Sequence, residues 1–138
     1  MNKKILTTIA SILVMTFSIF GLSKSVVAKE VAYLSASSAN TWLAASVKEM
    51  DAVASANGIN ITEFDAQFDP AKQTAQLQDA IASGKYDGIV LCAIYGVGLI
   101  PDIEAAIAAG IEIVVLNQVV GADLTTSDPQ VDGIAASV

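Results

Sequence analysis

Short runs of β-branched and other apolar residues alternate with helical patterns along most of the chain. Runs of this kind are typical of strands buried on both faces of a sheet. They are Val31 to Ser35, Ile59 to Asp65, Ile89 to Ala93 and Ile113 to Leu116. A helix between two strands returns the chain to the same edge of the sheet in the same direction, so this order requires parallel pairing. The sequence therefore predicts an α/β fold with an open, mostly parallel, doubly wound sheet and helices on both faces.

Apolar spacing and end signals place three helices between these strands. The first carries one apolar stripe with spacings of 4, 3 and 4, formed by Leu43, Val47, Met50 and Ala54. The second begins at Asp69-Pro70, where aspartate is an N-cap and proline takes the first helical position. The third begins at Pro101. Glycine, which adopts the left-handed conformation of a helix end, closes them at Gly58, Gly84 and Gly110.

The first 28 residues have the three-part layout of a secretory signal. A basic start at residues 2–4 precedes an apolar segment from Ile5 to Leu22, and small residues at 25–28 precede Lys29. We expect cleavage after Ala28, which leaves residues 29–138 as an exported domain. The alternative is a membrane anchor, since the apolar segment spans 18 residues, near the lower limit for crossing a bilayer. Its five hydroxyl residues and the small residues that follow favour removal.

The exported part is strongly acidic. It keeps four lysines against fourteen acidic residues, a formal charge of −10, and it has no arginine. This balance argues against nucleic acid or an anionic membrane as a partner. The only cysteine, Cys92, lies in an apolar run and cannot form an internal disulfide, so we interpret it as a small buried hydrophobe.

The sequence lacks the residues that several kinds of catalytic, metal and cofactor site require. Without histidine, the chain has neither the usual base of a serine or cysteine triad nor the commonest zinc ligand. A dinucleotide site needs a glycine-rich turn after the first strand, and the loop there has no glycine. Gly96-Val97-Gly98, after the third strand, is only a fragment of such a pattern and is better interpreted as a flexible loop. Asp65 and Asp69 form an acid pair, but Asp69 is explained as a cap. We therefore predict no catalytic residue, no metal ligand and no cofactor.

Noncovalent capture of a small polar molecule fits the remaining residues. In open parallel sheets, ligands bind beyond the carboxyl ends of the strands, so the relevant loops are 35–41, 66–69, 94–100 and 117–124. Carboxamides suit the hydroxyls of a sugar or polyol, and aromatic rings suit its C–H face. The candidate ligand-binding residues are Asn40, Trp42, Tyr95, Asn117 and Gln118. Two alternatives stay open: Trp42 as a core residue of the first helical turn, and Asn117-Gln118 as a simple polar turn.

At these residues the chain resembles the ribose-type substrate-binding proteins of bacterial ABC transporters, which have the type I periplasmic binding protein fold. The matching stretches are Asn40-Thr41-Trp42-Leu43 and FDAQFDPAKQTAQLQDAIASGKYDGIVL, residues 64–91. The resemblance implies that Asn40 and Trp42 contact the ligand. The chain departs from the family where Asn117-Gln118 replaces a common Asp-Arg pair, where Ala93 replaces a polar residue, and where Leu43 replaces a second aromatic. A neutral site suits an uncharged sugar or polyol.

The resemblance also implies a role and partners. The expected protein is a periplasmic solute-binding protein, monomeric when full-length, that delivers its ligand to a membrane ABC permease. Residues 29–138 correspond to the amino-terminal lobe alone, with a fifth strand expected near residues 125–127 and the chain ending at Val138 inside the following helix. One alternative is a receptor of the same fold that signals to a membrane kinase or chemoreceptor. Another is an exported α/β enzyme.

Overall fold

Five strands form one sheet in the computed structural model, which describes residues 28–138. They are β1 (Lys29–Ser35), β2 (Ile59–Asp65), β3 (Gly88–Leu91), β4 (Glu112–Val115) and β5 (Ile134–Ser137). The spatial order is β2-β1-β3-β4-β5, and every neighbouring pair is parallel. The predicted open, parallel, doubly wound α/β sheet is confirmed. The predicted export signal lies outside the described residues except for Ala28.

Three helices cover the two faces of this sheet: α1 (Thr41–Ala56), α2 (Pro70–Ser83) and α3 (Ile100–Ala108). Leu77 of α2 and Ile103 of α3 are fully buried in one core cluster, which also contains β1 and β3 side chains of one face. Leu43 of α1 packs with Tyr33 and Cys92 in a second cluster on the opposite face. The expected stripe of α1 is confirmed, because Val47 and Met50 pack against this second cluster and Ala54 is buried.

The end signals of the helices work as predicted. Asp69 Oδ1 accepts hydrogen bonds from the backbone N–H groups of Ala71 and Lys72, at 2.8 and 3.2 Å. These bonds satisfy two donors that the first turn of α2 would otherwise leave unpaired. Gly84 closes α2 with a φ of 59°, in the left-handed region that glycine reaches without a steric penalty. Helix α3 begins one residue earlier than expected, at Ile100.

The fifth strand lies at Ile134–Ser137, so the expectation of a strand near residues 125–127 is wrong. Threonine favours strands, but here local side-chain bonds hold the backbone in a turn. The N–H and Oγ1 of Thr125 both donate to Asp123 Oδ1, at 2.8 and 2.6 Å, and Gln130 Oε1 accepts from Asp123 N–H. Such bonds compete with strand pairing. Val138 directly follows β5 and is not part of a helix.

The face that α1 covers keeps an apolar groove beside this helix. Its volume is about 400 Å³, and Met50, Val53, Ile61 and Val90 are among its lining residues. Val53 is 64% exposed, so this part of the face stays accessible to solvent. Within residues 28–138, no helix combines the length and apolar character that crossing a membrane requires.

Candidate ligand-binding site

A cavity of about 510 Å³ lies at the carboxyl ends of the strands. Strand β2 lies on one side of β1, whereas β3, β4 and β5 follow on the other, so strand order reverses between β1 and β3. Open α/β sheets bind ligands at such a switch point. All four loops expected at this rim, with the adjoining ends of α1 and β3, contribute lining residues: Ala36, Asn40, Trp42, Leu43, Phe68, Cys92, Ala93, Ile94, Asn117 and Gln118.

The Asn40 side chain makes two structural hydrogen bonds through its oxygen and keeps a free amide donor group. Its Oδ1 accepts from the N–H groups of Trp42 and Leu43, at 3.0 and 3.1 Å, so Asn40 is the N-cap of α1. The carboxamide acceptor is therefore occupied. No bond from its Nδ2 to another of residues 28–138 occurs, which leaves two N–H donors beside the cavity.

Trp42 lines the cavity and is 51% exposed. The alternative that it is a core residue of the first helical turn is wrong. The next residue, Leu43, takes the core position and is only 3% exposed. An indole that stands in a concave site presents a flat apolar face to solvent, which suits the C–H face of a sugar.

Asn117 and Gln118 follow the end of β4, and both line the cavity. The backbone of Asn117 has a φ of 65°, a left-handed conformation that asparagine tolerates better than most residues. Its N–H donates to the carbonyl of Val138, and the N–H of Gln118 donates to the carbonyl of Leu116 at 2.7 Å. The backbone of this turn is thus pinned, while neither carboxamide bonds to a side chain or backbone group of residues 28–138.

Tyr95 is the one candidate residue that does not line the cavity. Its side chain is 62% exposed and lies against the turn of 3-10 helix at residues 96–99, where a Cβ on Gly98 would stand 2.5 Å from the ring. Gly96 packs equally closely, since a Cβ there would lie 2.6 Å from the carbonyl oxygen of Val119. These glycines permit close packing, and the segment forms a turn of 3-10 helix where a flexible loop was expected.

Phe68 lines the cavity as a second aromatic side chain, 58% exposed, that the sequence reasoning did not single out. Its φ of 58° is left-handed, a conformation that costs a bulky residue about 1–2 kcal/mol. The N–H of Phe68 donates to the carbonyl of Ala36 at 2.8 Å, which holds the strained turn against the β1 end. The available signal was an aromatic residue in a rim loop directly before the Asp69 cap.

The Asp65 carboxylate clamps two rim loops together. It accepts from the hydroxyl and N–H of Ser38, at 2.6 and 3.2 Å, and from the N–H of Gln67 at 2.8 Å. These bonds hold the pKa of Asp65 below its usual range, and the bond from the Ser38 hydroxyl has the largest effect. Since Asp69 caps α2, both members of the acid pair have structural partners.

Acid is expected to destabilise the domain partly through Asp65. Because folding lowers its pKa, the stabilisation is complete above the unfolded value of about 4 and is lost as pH falls through the folded value. Asp87 and Asp123 also have lowered pKa values, so the parent should lose stability from several groups. Melting temperatures between pH 2 and 7 should fall less steeply for Asp65→Asn than for the parent. If the melting temperatures of the two proteins fall in parallel as the pH is lowered, the Asp65 carboxylate does not contribute to the pH dependence of stability.

No side chain that lines the cavity is charged at neutral pH. The one ionisable member, Cys92, is 2% exposed, and burial raises the pKa of its thiol, so it stays protonated. Among residues 28–138, no group of three or more histidine, cysteine, aspartate or glutamate side chains could hold a metal ion. A cavity with carboxamides and rings but no charge suits an uncharged polar solute.

The parallel sheet and this cavity at its switch point define a domain of the α/β class with a candidate small-molecule site. Residues 31–136 match the family described as "Periplasmic binding protein domain". The chain belongs to this family, because the match covers most of its length. No curated protein matches the chain in sequence.

Solved structures similar to this chain include solute-binding proteins. One, an ABC transporter solute binding protein from Mycobacterium smegmatis with bound glycerol, is 28% identical, with a TM-score of 0.62 over 69% of this chain and 33% of that one. Another, from Clostridium phytofermentans with bound β-D-glucose, is 17% identical, with a TM-score of 0.65 over 77% and 30%. A galactofuranose binding protein is 22% identical, with a TM-score of 0.62 over 72% and 32%. The chain spans about a third of their length.

Proposed function

We propose that this chain forms the amino-terminal lobe of a periplasmic solute-binding protein, which captures an uncharged sugar or polyol for an ABC transporter permease. The carrying observation is the uncharged cavity at the switch point, where two exposed rings, Trp42 and Phe68, stand with three carboxamides. Membership of the periplasmic binding protein family supports the proposal. The glycerol and glucose bound by two similar structures belong to the same ligand class.

The proposed mechanism is noncovalent. Trp42 and Phe68 cover the C–H face of the ligand, the Nδ2 of Asn40 donates to a hydroxyl oxygen, and Asn117 and Gln118 each donate and accept. In two-lobed binding proteins, hinge closure traps the ligand and buries much of its surface. One lobe supplies part of these contacts, so we expect weak affinity for the isolated chain. Cleavage of the signal after Ala28, a periplasmic location and a monomeric full-length state belong to the same proposal.

Intrinsic fluorescence tests this proposal directly, because Trp42 is the only tryptophan of the chain. The purified protein is titrated separately with D-ribose, D-glucose, D-galactose, myo-inositol and glycerol. At least one should produce a saturable change in Trp42 emission, since a bound ring replaces water against the indole. L-Glutamate and inorganic phosphate are the charged controls and should produce none. Saturation by a charged control alone would contradict the proposed ligand class.

A further inference from the structure

Gln73 is a fully buried polar side chain of α2 that does not line the cavity. Its Nε2 donates to the carbonyl of Cys92, and its Oε1 accepts from the N–H of Ile94, both at 2.9 Å. The orientation of the carboxamide is determined by its partners, because a carbonyl only accepts and an N–H only donates. One side chain thus pairs with the backbone on both sides of Ala93.

These two bonds continue the pairing of β3 beyond its end. The last ladder bonds here join Cys92 N–H to the carbonyl of Leu34 and Leu116 N–H to the carbonyl of Leu91, at 3.1 and 2.9 Å. Backbone groups beyond that point still require partners, and Gln73 supplies them for the Cys92 carbonyl, which is buried, and for the Ile94 N–H, which is partly buried. The carboxamide of Gln73 takes the place that a peptide group of another strand would occupy.

The segment that Gln73 holds is part of the cavity wall. Cys92, Ala93 and Ile94 all line the cavity, and Gln73 binds the backbone at the first and the last of them. We infer that Gln73 is a positioning residue of the binding site, which sets ligand affinity through the backbone of residues 92–94 without touching the ligand. This inference rests on the proposed function.

Paired substitutions on α2 test the inference. Gln73→Met keeps the length of the side chain and removes both bonds, so the wall should shift and affinity should fall roughly tenfold. Gln76→Met is the matched control: Gln76 Nε2 donates to the carbonyl of Asp65 at 3.1 Å, and Gln76 neither lines the cavity nor contacts residues 92–94 through a hydrogen bond. Gln73→Met should also melt at lower temperature, because the Cys92 carbonyl and the Ile94 N–H lose their partner. Trp42 fluorescence measures the affinity for D-ribose, D-glucose and myo-inositol. This affinity should fall in Gln73→Met and not in Gln76→Met. Equal affinities in the two variants would overturn the inference.

Amide hydrogen exchange of the parent protein provides a test that needs no variant. The Ile94 N–H should exchange as slowly as the paired Cys92 N–H, because Gln73 Oε1 binds it. Fast exchange at Ile94 in a protein that binds one of the three solutes would overturn the positioning role alone. A parent that binds none of the five uncharged solutes, including D-galactose and glycerol, would overturn the proposed function, and with it the dependence of affinity on Gln73.

Discussion

Replacing Trp42 with alanine should abolish measurable sugar binding while the domain stays folded. The indole lines the cavity and is half exposed, so its removal takes away ligand contact area and little core packing. Truncation of a central aromatic contact typically weakens binding by about 2 kcal/mol or more, roughly thirtyfold. Calorimetry is the appropriate measurement, because Trp42→Ala has no tryptophan left to report binding.

Two control variants bracket this result. Trp42→Phe keeps a ring in the cavity and should retain part of the affinity. Val53→Ala removes exposed apolar surface from the same helix, but Val53 does not line the cavity, so binding should equal that of the parent. Parent-like binding by Trp42→Ala would mean that the indole lies outside the site.

The second large effect concerns Asn40, whose two amide atoms have separable roles. Asn40→Asp keeps an oxygen that caps α1, and aspartate and asparagine are equivalent caps. The same change removes the Nδ2 donor and adds a negative charge to an uncharged cavity. We therefore expect at least a tenfold loss of affinity with a nearly unchanged melting temperature.

Asn40→Ala is the matched variant that removes both roles. It should lose affinity and also about 1 kcal/mol of folding free energy, since the N–H groups of Trp42 and Leu43 lose their cap. Denaturant unfolding and calorimetry on the two variants separate these contributions. If Asn40→Asp binds as tightly as the parent, the free amide group makes no ligand contact, and Asn40 is a cap alone.

The rim loops were predictable because they follow from element order. Once strands and helices alternate, every strand in a parallel sheet ends at one edge, and the loops that hold Asn40 and Asn117 must meet there. Asp69 and Gly84 were predictable for a related reason, since capping and left-handed helix ends are decided by residues close in sequence. Both kinds of inference need only local residue types and their order.

Other members of the site depended on distant parts of the chain. Phe68 enters the cavity because its N–H bonds to Ala36, more than thirty residues away, and this bond holds a backbone conformation that phenylalanine disfavours. Tyr95 fills an equally suitable place in the sequence, yet its ring packs on the adjacent turn outside the cavity. Whether an aromatic residue in a loop faces the ligand depends on backbone dihedrals, which residue type does not specify.

The position of the fifth strand also depended on the tertiary structure and not on local sequence alone. A fifth strand was expected near residues 125–127, but the Asp123 carboxylate accepts hydrogen bonds from Thr125 and holds a turn there, and Ile134–Ser137 pairs with β4 instead. Periodicity, caps and strand order are properties of neighbouring residues, so they can be read from the chain as written. The position of the indole, the strained Phe68 and the Gln73 bridge required folding, because each depends on hydrogen bonds or packing between segments that only the tertiary structure brings together.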